Sequence, residues 1–286
     1  MNILFFVFGD NLASHLQAHL CIRTILKQHR KQDSVYVYTD KPKFYKHFNQ
    51  IHTVGISSEQ LKTWIGPSGY IFRAKIKAIE ALSELCPDEH LLFLDCDTFI
   101  YGNLRELENK LSQGRGLMHT KEGHPSRMKG ASLQMWKALS KENIEGIELS
   151  EKHCVWNSGV IGIPANKLNI VIPKALRICD YMLGKKINCF TVEQYAFAIA
   201  MIENTQLTEC LQWVGHYWGN KQEWTELATN FFLTSYMEGT SLEDELELLS
   251  VQLLKKIPIF IKKSNTRKRL EKKLSKWFPD KNFRLV

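Results

Sequence analysis

The 286-residue chain has no Cys-x-x-Cys pair, no long apolar run, no low-complexity linker and no internal repeat. Its seven cysteines stand singly at positions 21, 86, 96, 154, 179, 189 and 210. An odd count without paired spacing argues against a disulfide framework and against a cysteine-rich zinc site, and it fits a reducing cytoplasm. No hydrophobic stretch approaches the roughly 20 residues of a membrane span. The run Ile3–Phe8 is short, follows no basic residue and lacks a small-residue cleavage site, so it is expected to be a first strand rather than a signal peptide. An excess of positive charge is missing from most of the chain as well. Residues 255–286 hold twelve Lys/Arg against Glu271 and Asp280, a net charge of +10; with +8 for the whole chain, the remaining residues carry −2. The body is nearly neutral and the C-terminal segment holds the excess.

What is present is concentrated at residues 91–102, Leu-Leu-Phe-Leu-Asp95-Cys96-Asp97-Thr-Phe-Ile-Tyr-Gly. Four apolar residues without a polar face are too short for a helix and predict a strand buried on both sides. The strand ends in two carboxylates one residue apart. In open α/β sheets this carboxyl edge is where ligands bind. Paired carboxylates raise each other's pKa unless a cation joins them, and hard oxygen ligands suit Mg²⁺ or Mn²⁺, which in turn hold phosphate oxygens. The alternative is a polar turn that carries two acids.

The surrounding pattern predicts strands at Asn2–Phe8, Val35–Tyr38 and His52–Ile56, and helices at Leu12–His29 and Tyr70–Leu85. Strands alternating with helices at this spacing imply βαβ units and a single mixed, mostly parallel sheet flanked by helices. Gly114–Ser132 is expected to be a strand followed by a mobile loop, Val155–Ile163 to run into a buried strand, and Leu211–Trp224 to be irregular. Asn166–Leu183 and Val192–Ile202 are helical in pattern. Thr240-x-x-Glu243 has the form of a capping box, followed by Leu242, Leu246, Leu249 and Leu253 on one helix face. The boundaries expected are a catalytic domain over 1–235 and a basic, amphipathic helical extension over 236–286.

A divalent ion on one Asp-x-Asp needs a further ligand. His216, in Gly215-His216-Tyr217-Trp218-Gly219-Asn220-Lys221, is the best candidate, with a glycine for close backbone approach and a lysine as a point charge for phosphate. The alternative is a loop packed by Trp213, Tyr217, Trp218 and Trp224, with His216 a solvated bystander.

The order of these elements resembles the A-type fold (GT-A) of nucleotide-sugar glycosyltransferases, and within it the family 8 enzymes and their relatives. It runs from an early strand–helix and a second strand ending in Asp40 through Asp95-x-Asp97, Asn157-Ser158-Gly159 and Glu193-Gln194 to His216-x-x-Gly219-x-Lys221. The resemblance spans roughly residues 1–225. It implies that Asp97 binds a metal, Mn²⁺ or Mg²⁺, and that Asp95 shares it or contacts the donor ribose. It implies that Asn157, with Ser158 beside it, meets the donor sugar, and that His216 completes the metal site. Gly219 and Lys221 would lie on the diphosphate and Glu193-Gln194 beside the anomeric carbon. Asp40 and Gly9–Asn11 would lie near the base, and Arg73 and Lys75 would contact the donor. The family usually places its Lys one residue later and has Asp where Glu193 stands, which leaves stereochemistry open. The donor implied is a UDP-sugar and the acceptor a hydroxyl, on a lipid-linked or cell-surface glycan; no nucleic acid is expected.

Glycosyl transfer passes through an oxocarbenium-like state as a nucleoside diphosphate leaves with growing negative charge. A metal and Lys221 aimed at that charge would stabilise it. Glu193 would be the base of an inverting enzyme or flank the donor face in a retaining one, unless it is a solvated residue favoured by a helix dipole. Within 264–278, Leu270, Leu274, Trp277 and Phe278 form one apolar face on a basic helix, the pattern of a peripheral membrane helix at the inner face of the membrane. Docking of that face on the body is the alternative. Three rival classes are weighed. A haloacid dehalogenase-type phosphatase also ends a strand in Asp-x-Asp, but normally near the N-terminus. A nucleotidyltransferase would have a glycine-rich basic loop after its first strand, and Gly9-Asp10-Asn11 is not one. A non-catalytic sugar-nucleotide-binding protein is the third.

Overall fold

The computed structural model describes residues 1–28, 32–187 and 189–261, together with positions 270, 273, 274 and 277. In chain order the first half holds β1 (Asn2–Phe6), α1 (Leu12–Leu26), β2 (Ser34–Thr39), β3 (His52–Gly55), α2 (Ser58–Ile65), α3 (Arg73–Leu85), β4 (Leu91–Leu94), β5 (Thr98–Ile100), α4 (Leu104–Ser112), β6 (Arg115–Met118) and β7 (Lys121–Gly123). Then come α5 (Ala131–Leu139), the short hairpin β8 (Asn143–Ile144) and β9 (Ile147–Glu148), β10 (Val155–Trp156), β11 (Val160–Ile163), α6 (Leu168–Gly184), α7 (Val192–Asn204) and β12 (Gln206–Glu209). The chain continues through β13 (Val214–His216), α8 (Lys221–Glu238), α9 (Leu242–Leu248) and α10 (Val251–Leu254).

Among the described residues, seven strands form one sheet in the order β12-β6-β11-β4-β1-β2-β3. Neighbours are parallel except around β11, which runs antiparallel to both β4 and β6. The strand period of two sorts β4 between two cores. Leu91 and Phe93 join the layer of α3, α6 and α7, whereas Leu92 and Leu94 join the layer of α1 and α4. Asp95 follows the first set, and its N–H still donates to Gly159 O at 2.8 Å, extending the ladder by one residue. The sheet therefore delivers the first carboxylate toward α3 and α7. Helix α7 is buried on every side from Val192 to Met201, as a helix apolar all round must be.

Several expectations shift. Helix α3 starts at Arg73 rather than Tyr70. Gly114–Ser132 holds two strands, β6 and β7, and reaches the first turn of α5. Leu211–Trp224 is not irregular, because β13 and the start of α8 lie in it. The capping residue of α9 is Ser241, which accepts from Asp244 N–H at 3.1 Å, one position later than the expected box. Leu249 ends α9 and Ser250 caps α10, so the leucines divide between two short helices instead of marking one face. The expected end of α1 at His29 and most of the amphipathic stretch 264–278 lie outside the described residues; Leu270, Leu274 and Trp277 are described and exposed.

The segment after α8 is anchored on α1. Arg23 donates through Nε to Glu245 Oε2 at 2.6 Å and lies between the rings of Phe48 and Phe232. Ser235 also bonds Glu245. One carboxylate acceptor, one hydroxyl donor and two aromatic faces satisfy a charge pair that burial would otherwise penalise.

Candidate metal and donor site

Beyond the main sheet, β13 pairs antiparallel with β5, setting His216 opposite Thr98, and Tyr217 N–H donates to Asp97 O at 3.0 Å. This small ladder brings a residue near position 216 onto the Asp-x-Asp. Ligand atoms of Asp95, Asp97 and His216 lie within 4.8 Å of one another. Two glycines make room. A Cβ on Gly159 would lie 2.2 Å from the His216 ring, and one on Gly215 would lie 2.3 Å from the Phe99 ring. Behind His216, Phe99, Trp224 and Tyr217 stack at centroid separations of 4.7 Å for Phe99–Trp224 and Tyr217–Trp224. The aromatic packing weighed as an alternative is thus present for Tyr217 and Trp224, near the histidine in sequence. His216 is 5% exposed and is no solvated bystander.

Hydrogen bonds fix which nitrogen of His216 is free. Asn157 Oδ1 accepts from Gly159 N–H at 3.0 Å, so that atom is the oxygen, and its Nδ2 donates to Glu122 Oε1 at 3.2 Å. His216 Nδ1 lies 2.9 Å from the same Oδ1 and must donate to it. In the neutral ring the Nε2 lone pair then faces Asp97 Oδ2 at 3.4 Å, and in the protonated ring Nε2–H pairs with that oxygen. A histidine that donates its far N–H to a fixed carbonyl is oriented for metal binding. His119 packs edge-on against His216 at 5.2 Å and bonds Val214 O through Nε2. Burial, then the charge of His216, lowers the His119 pKa to about 4.

Asp97 Oδ2 is the feature that tests a cation here. It is buried and accepts no well-aligned hydrogen bond among the described residues, although Lys221 Nζ lies 2.9 Å away. The oxygen is paired in charge but not in hydrogen bonding. Burial pushes the Asp97 carboxyl up, yet His216 and Lys221 outweigh it and hold the group well below the usual carboxylate range. Two carboxylates, an imidazole lone pair and an unsatisfied buried oxygen fit Mn²⁺ or Mg²⁺, with the imidazole favouring Mn²⁺.

A second cluster adjoins it. Lys75, on α3, is buried with its Nζ 3.2 Å from Asp95 Oδ1 and 3.3 Å from Glu193 Oε1. It also donates to Ser158 O at 2.8 Å and lies 4.8 Å from the Phe93 centroid. Burial lowers the Lys75 pKa, but the two carboxylates outweigh it and the net shift is upward. Ser158 Oγ donates to Glu193 Oε2 at 3.1 Å. Burial raises the Glu193 pKa, with Lys75 opposing. Glu193 sits in the first turn of α7, as the dipole favours, but at 3% exposure it is not solvated. Its backbone N–H donates to Tyr70 Oη at 3.1 Å. Gln194 Nε2 donates to Glu122 Oε2 at 2.9 Å.

Asp95, Asp97, Asn157, Ser158, Glu193, Gln194, His216, Lys75 and Lys221 are therefore gathered in one network. Asp40 stands apart, at the end of β2, where its Oδ1 accepts from Gly9 N–H at 3.0 Å. Arg73 is not brought to the carboxylates. Its guanidinium makes a two-pronged pair with Asp180 of α6, at 2.6 and 3.0 Å, and a bond to Trp64 O. Gly219 bridges to Phe260, whose ring fills the space a Cβ would take. Asn220 and Trp224 both donate to Pro258 O, at 2.8 and 3.2 Å, so residues 258–260 strap the loop between His216 and Lys221. Sequence reasoning missed Glu122, Tyr70 and His119, which sit in no motif; the glycine after Asn157-Ser158 was the one available signal for the close approach of His216. A concavity of about 620 Å³ lies away from this network, between α8 and α9–α10.

No protein-family model and no curated protein sequence matches the chain. Among solved structures it is similar to the galactosyltransferase LgtC in complex with donor and acceptor sugar analogues, at 14% identity over 73% of each chain with a TM-score of 0.49. It is also similar to mouse xyloside xylosyltransferase 1, at 11% identity over 73% of this chain and 85% of that one with a TM-score of 0.46. The bifunctional glycosyltransferase WbbM is matched at 13% identity over 73% of this chain and 38% of that one, with a TM-score of 0.48. These are likenesses of architecture at low identity, and the reading of the site rests on its own geometry.

Proposed function

We propose that the chain is a metal-dependent glycosyltransferase that moves a sugar from a nucleotide-diphosphate donor, UDP-linked, to a hydroxyl acceptor on a lipid-linked or cell-surface glycan. The observation that carries this reading is the Asp95, Asp97 and His216 set, with Nε2 freed for a ligand and Lys221 beside the unsatisfied oxygen of Asp97. Bound there, Mn²⁺ or Mg²⁺ would supply a Lewis acid to the departing diphosphate. Lys221 adds a positive charge from the N-terminus of α8, where the helix dipole also favours an anion. Asn157 and Ser158 face the donor sugar, and Asp40 with the Gly9 loop stands toward the base. Lys75 pairs with Asp95 and Glu193 and fixes both side chains. The burial of Glu193 fits a place on the donor face better than that of a base meeting an acceptor from solvent.

In this reading residues 1–235 form the catalytic unit and 236–286 a helical, basic C-terminal extension; α8 runs through that boundary. No described helix is long and apolar enough to cross a membrane. In the same reading the extension holds the protein at an anionic membrane face on the cytoplasmic side; its net charge and exposed Phe260, Leu270, Leu274 and Trp277 support this. Calorimetric titration of UDP with and without Mn²⁺, on the native chain and His216→Ala, tests the site. Binding that requires Mn²⁺ and weakens in the variant supports it. No UDP binding in either condition removes the UDP donor and leaves another base, tested with GDP and CDP, or a phosphatase, tested by trapping phosphate on Asp95.

A further inference from the structure

Glu122 lies in β7, whose sequence Lys121-Glu122-Gly123 matches no motif. The residue is exposed, yet its carboxylate is divided between two buried amides. Oε1 accepts from Asn157 Nδ2 at 3.2 Å and Oε2 from Gln194 Nε2 at 2.9 Å. The strand beneath it is pinned from both sides. Lys121 pairs with Trp156, and the Lys121 N–H and Thr120 hydroxyl both donate to Glu209 Oε1, at 2.7 and 2.8 Å. The carboxylate is thus held in place before any ligand arrives.

Its influence passes through Asn157. With Nδ2 turned to Glu122, Oδ1 must face the Gly159 N–H and His216 Nδ1. An amide turned the other way would set NH₂ against the Gly159 N–H and oblige His216 Nδ1 to accept. The neutral ring would then carry its proton on Nε2, the atom aimed at Asp97. A carboxylate that touches no metal ligand therefore acts with the Gly159 N–H to hold the amide orientation that leaves the ligand lone pair available. The same carboxylate holds Gln194, the residue after Glu193.

We infer that Glu122 is a positioning residue that sets the His216 tautomer through Asn157 and ties that setting to the orientation of Gln194. The metal half of this inference rests on the site reading given above; the tautomer half stands on hydrogen bonding alone. Two measurements on Glu122→Ala and Glu122→Gln separate them. The first is the ¹⁵N spectrum of the histidines in metal-free protein, with His216 assigned by comparison with His216→Ala. The native chain should show Nδ1 protonated, and Glu122→Ala should move His216 toward the Nε2-protonated form. The second is calorimetric titration with Mn²⁺ alone. Affinity should fall about 10–100-fold in Glu122→Ala, the scale for loss of an outer-shell partner. Glu122→Gln keeps the side chain's shape and one acceptor oxygen, and should lose less. If a folded Glu122→Ala keeps both the native His216 tautomer and the native Mn²⁺ affinity, the inference is overturned. If the native chain binds no Mn²⁺, the metal reading fails, while the ¹⁵N comparison still decides the role of Glu122.

Discussion

Replacing Gly159 with alanine should disable the metal site without touching a ligand. The glycine follows Asn157-Ser158 and its missing side chain is the space that His216 occupies. A Cβ there would lie 2.2 Å from Cε1, 2.3 Å from Nδ1 and 2.8 Å from Nε2 of the ring. Ordinary carbon contacts sit at about 3.5–4.0 Å, so the ring must retreat by roughly 1 Å or more. That retreat breaks the 2.9 Å bond from Nδ1 to Asn157 Oδ1 and moves Nε2 off Asp97. The ring has little room to give, because it is buried and His119 packs edge-on against it at 5.2 Å. Overpacking of this kind costs about 1–3 kcal/mol. The assay is urea unfolding together with Mn²⁺ titration, on Gly159→Ala, His216→Ala and the double variant. The expected result is a destabilised single variant that no longer binds Mn²⁺. The double variant should recover stability, since removing the ring removes the collision. Native Mn²⁺ affinity in Gly159→Ala would refute the geometry, and so would additive stability losses in the double variant.

The remaining expectations concern charge. Lys75→Met should cost about 3–5 kcal/mol in urea unfolding, because it leaves the buried Glu193 carboxylate beside Asp95 without its cation; a loss under about 1 kcal/mol would show the pair is not coupled. His119 is held neutral by burial, with its pKa lowered to about 4. The unfolded chain therefore takes up a proton first, and stability should fall as pH drops from about 6.5 toward 4, by about 2 kcal/mol at pH 5. An unchanged slope of stability against pH in His119→Phe would contradict this. Deleting residues 262–286 should release the protein from anionic vesicles while leaving UDP affinity intact, whereas deletion from 255 should lower both, because Pro258 and Phe260 strap the Lys221 loop. Equal vesicle binding after the shorter deletion would remove the membrane role.

Much of the fold was legible because its signals are local. The apolar run of β4, its length and the carboxylates at its end depend on neighbours in sequence, and the structure places them at the carboxyl edge of a mostly parallel sheet. Elements set by tertiary contact were not legible in the same way. Helix α8 buries only Trp224, Ala228 and Ser235, too sparse a stripe to register as a period. β13 has three residues, two of them Gly215 and His216, and exists because β5 offers it an edge. Arg73 and Lys75 were both expected to contact the donor from the helix before β4, and two residues along a helix point to different faces. One reaches Asp180 and the other reaches Asp95.

The same distinction explains why the ligands could be read and their supports could not. Asp-x-Asp and His-x-x-Gly-x-Lys are patterns of chemistry, side-chain types suited to a cation and a phosphate, and so stand out as candidates in the sequence. Glu122 and Tyr70 act by holding other groups, and many residue types can hold an amide or a backbone N–H. Their assignment needs distances. Asn157 shows the link between the two kinds. Its type is readable as a sugar contact, but its position between Glu122, Gly159 and His216 makes it the residue that turns a histidine near the carboxylates into a histidine with its lone pair free. Substituting Asn157 with aspartate would keep the acceptor for His216 and set a second carboxylate against Glu122. The resulting repulsion acts on the amide side alone, so the metal site should survive with the Gln194 side displaced.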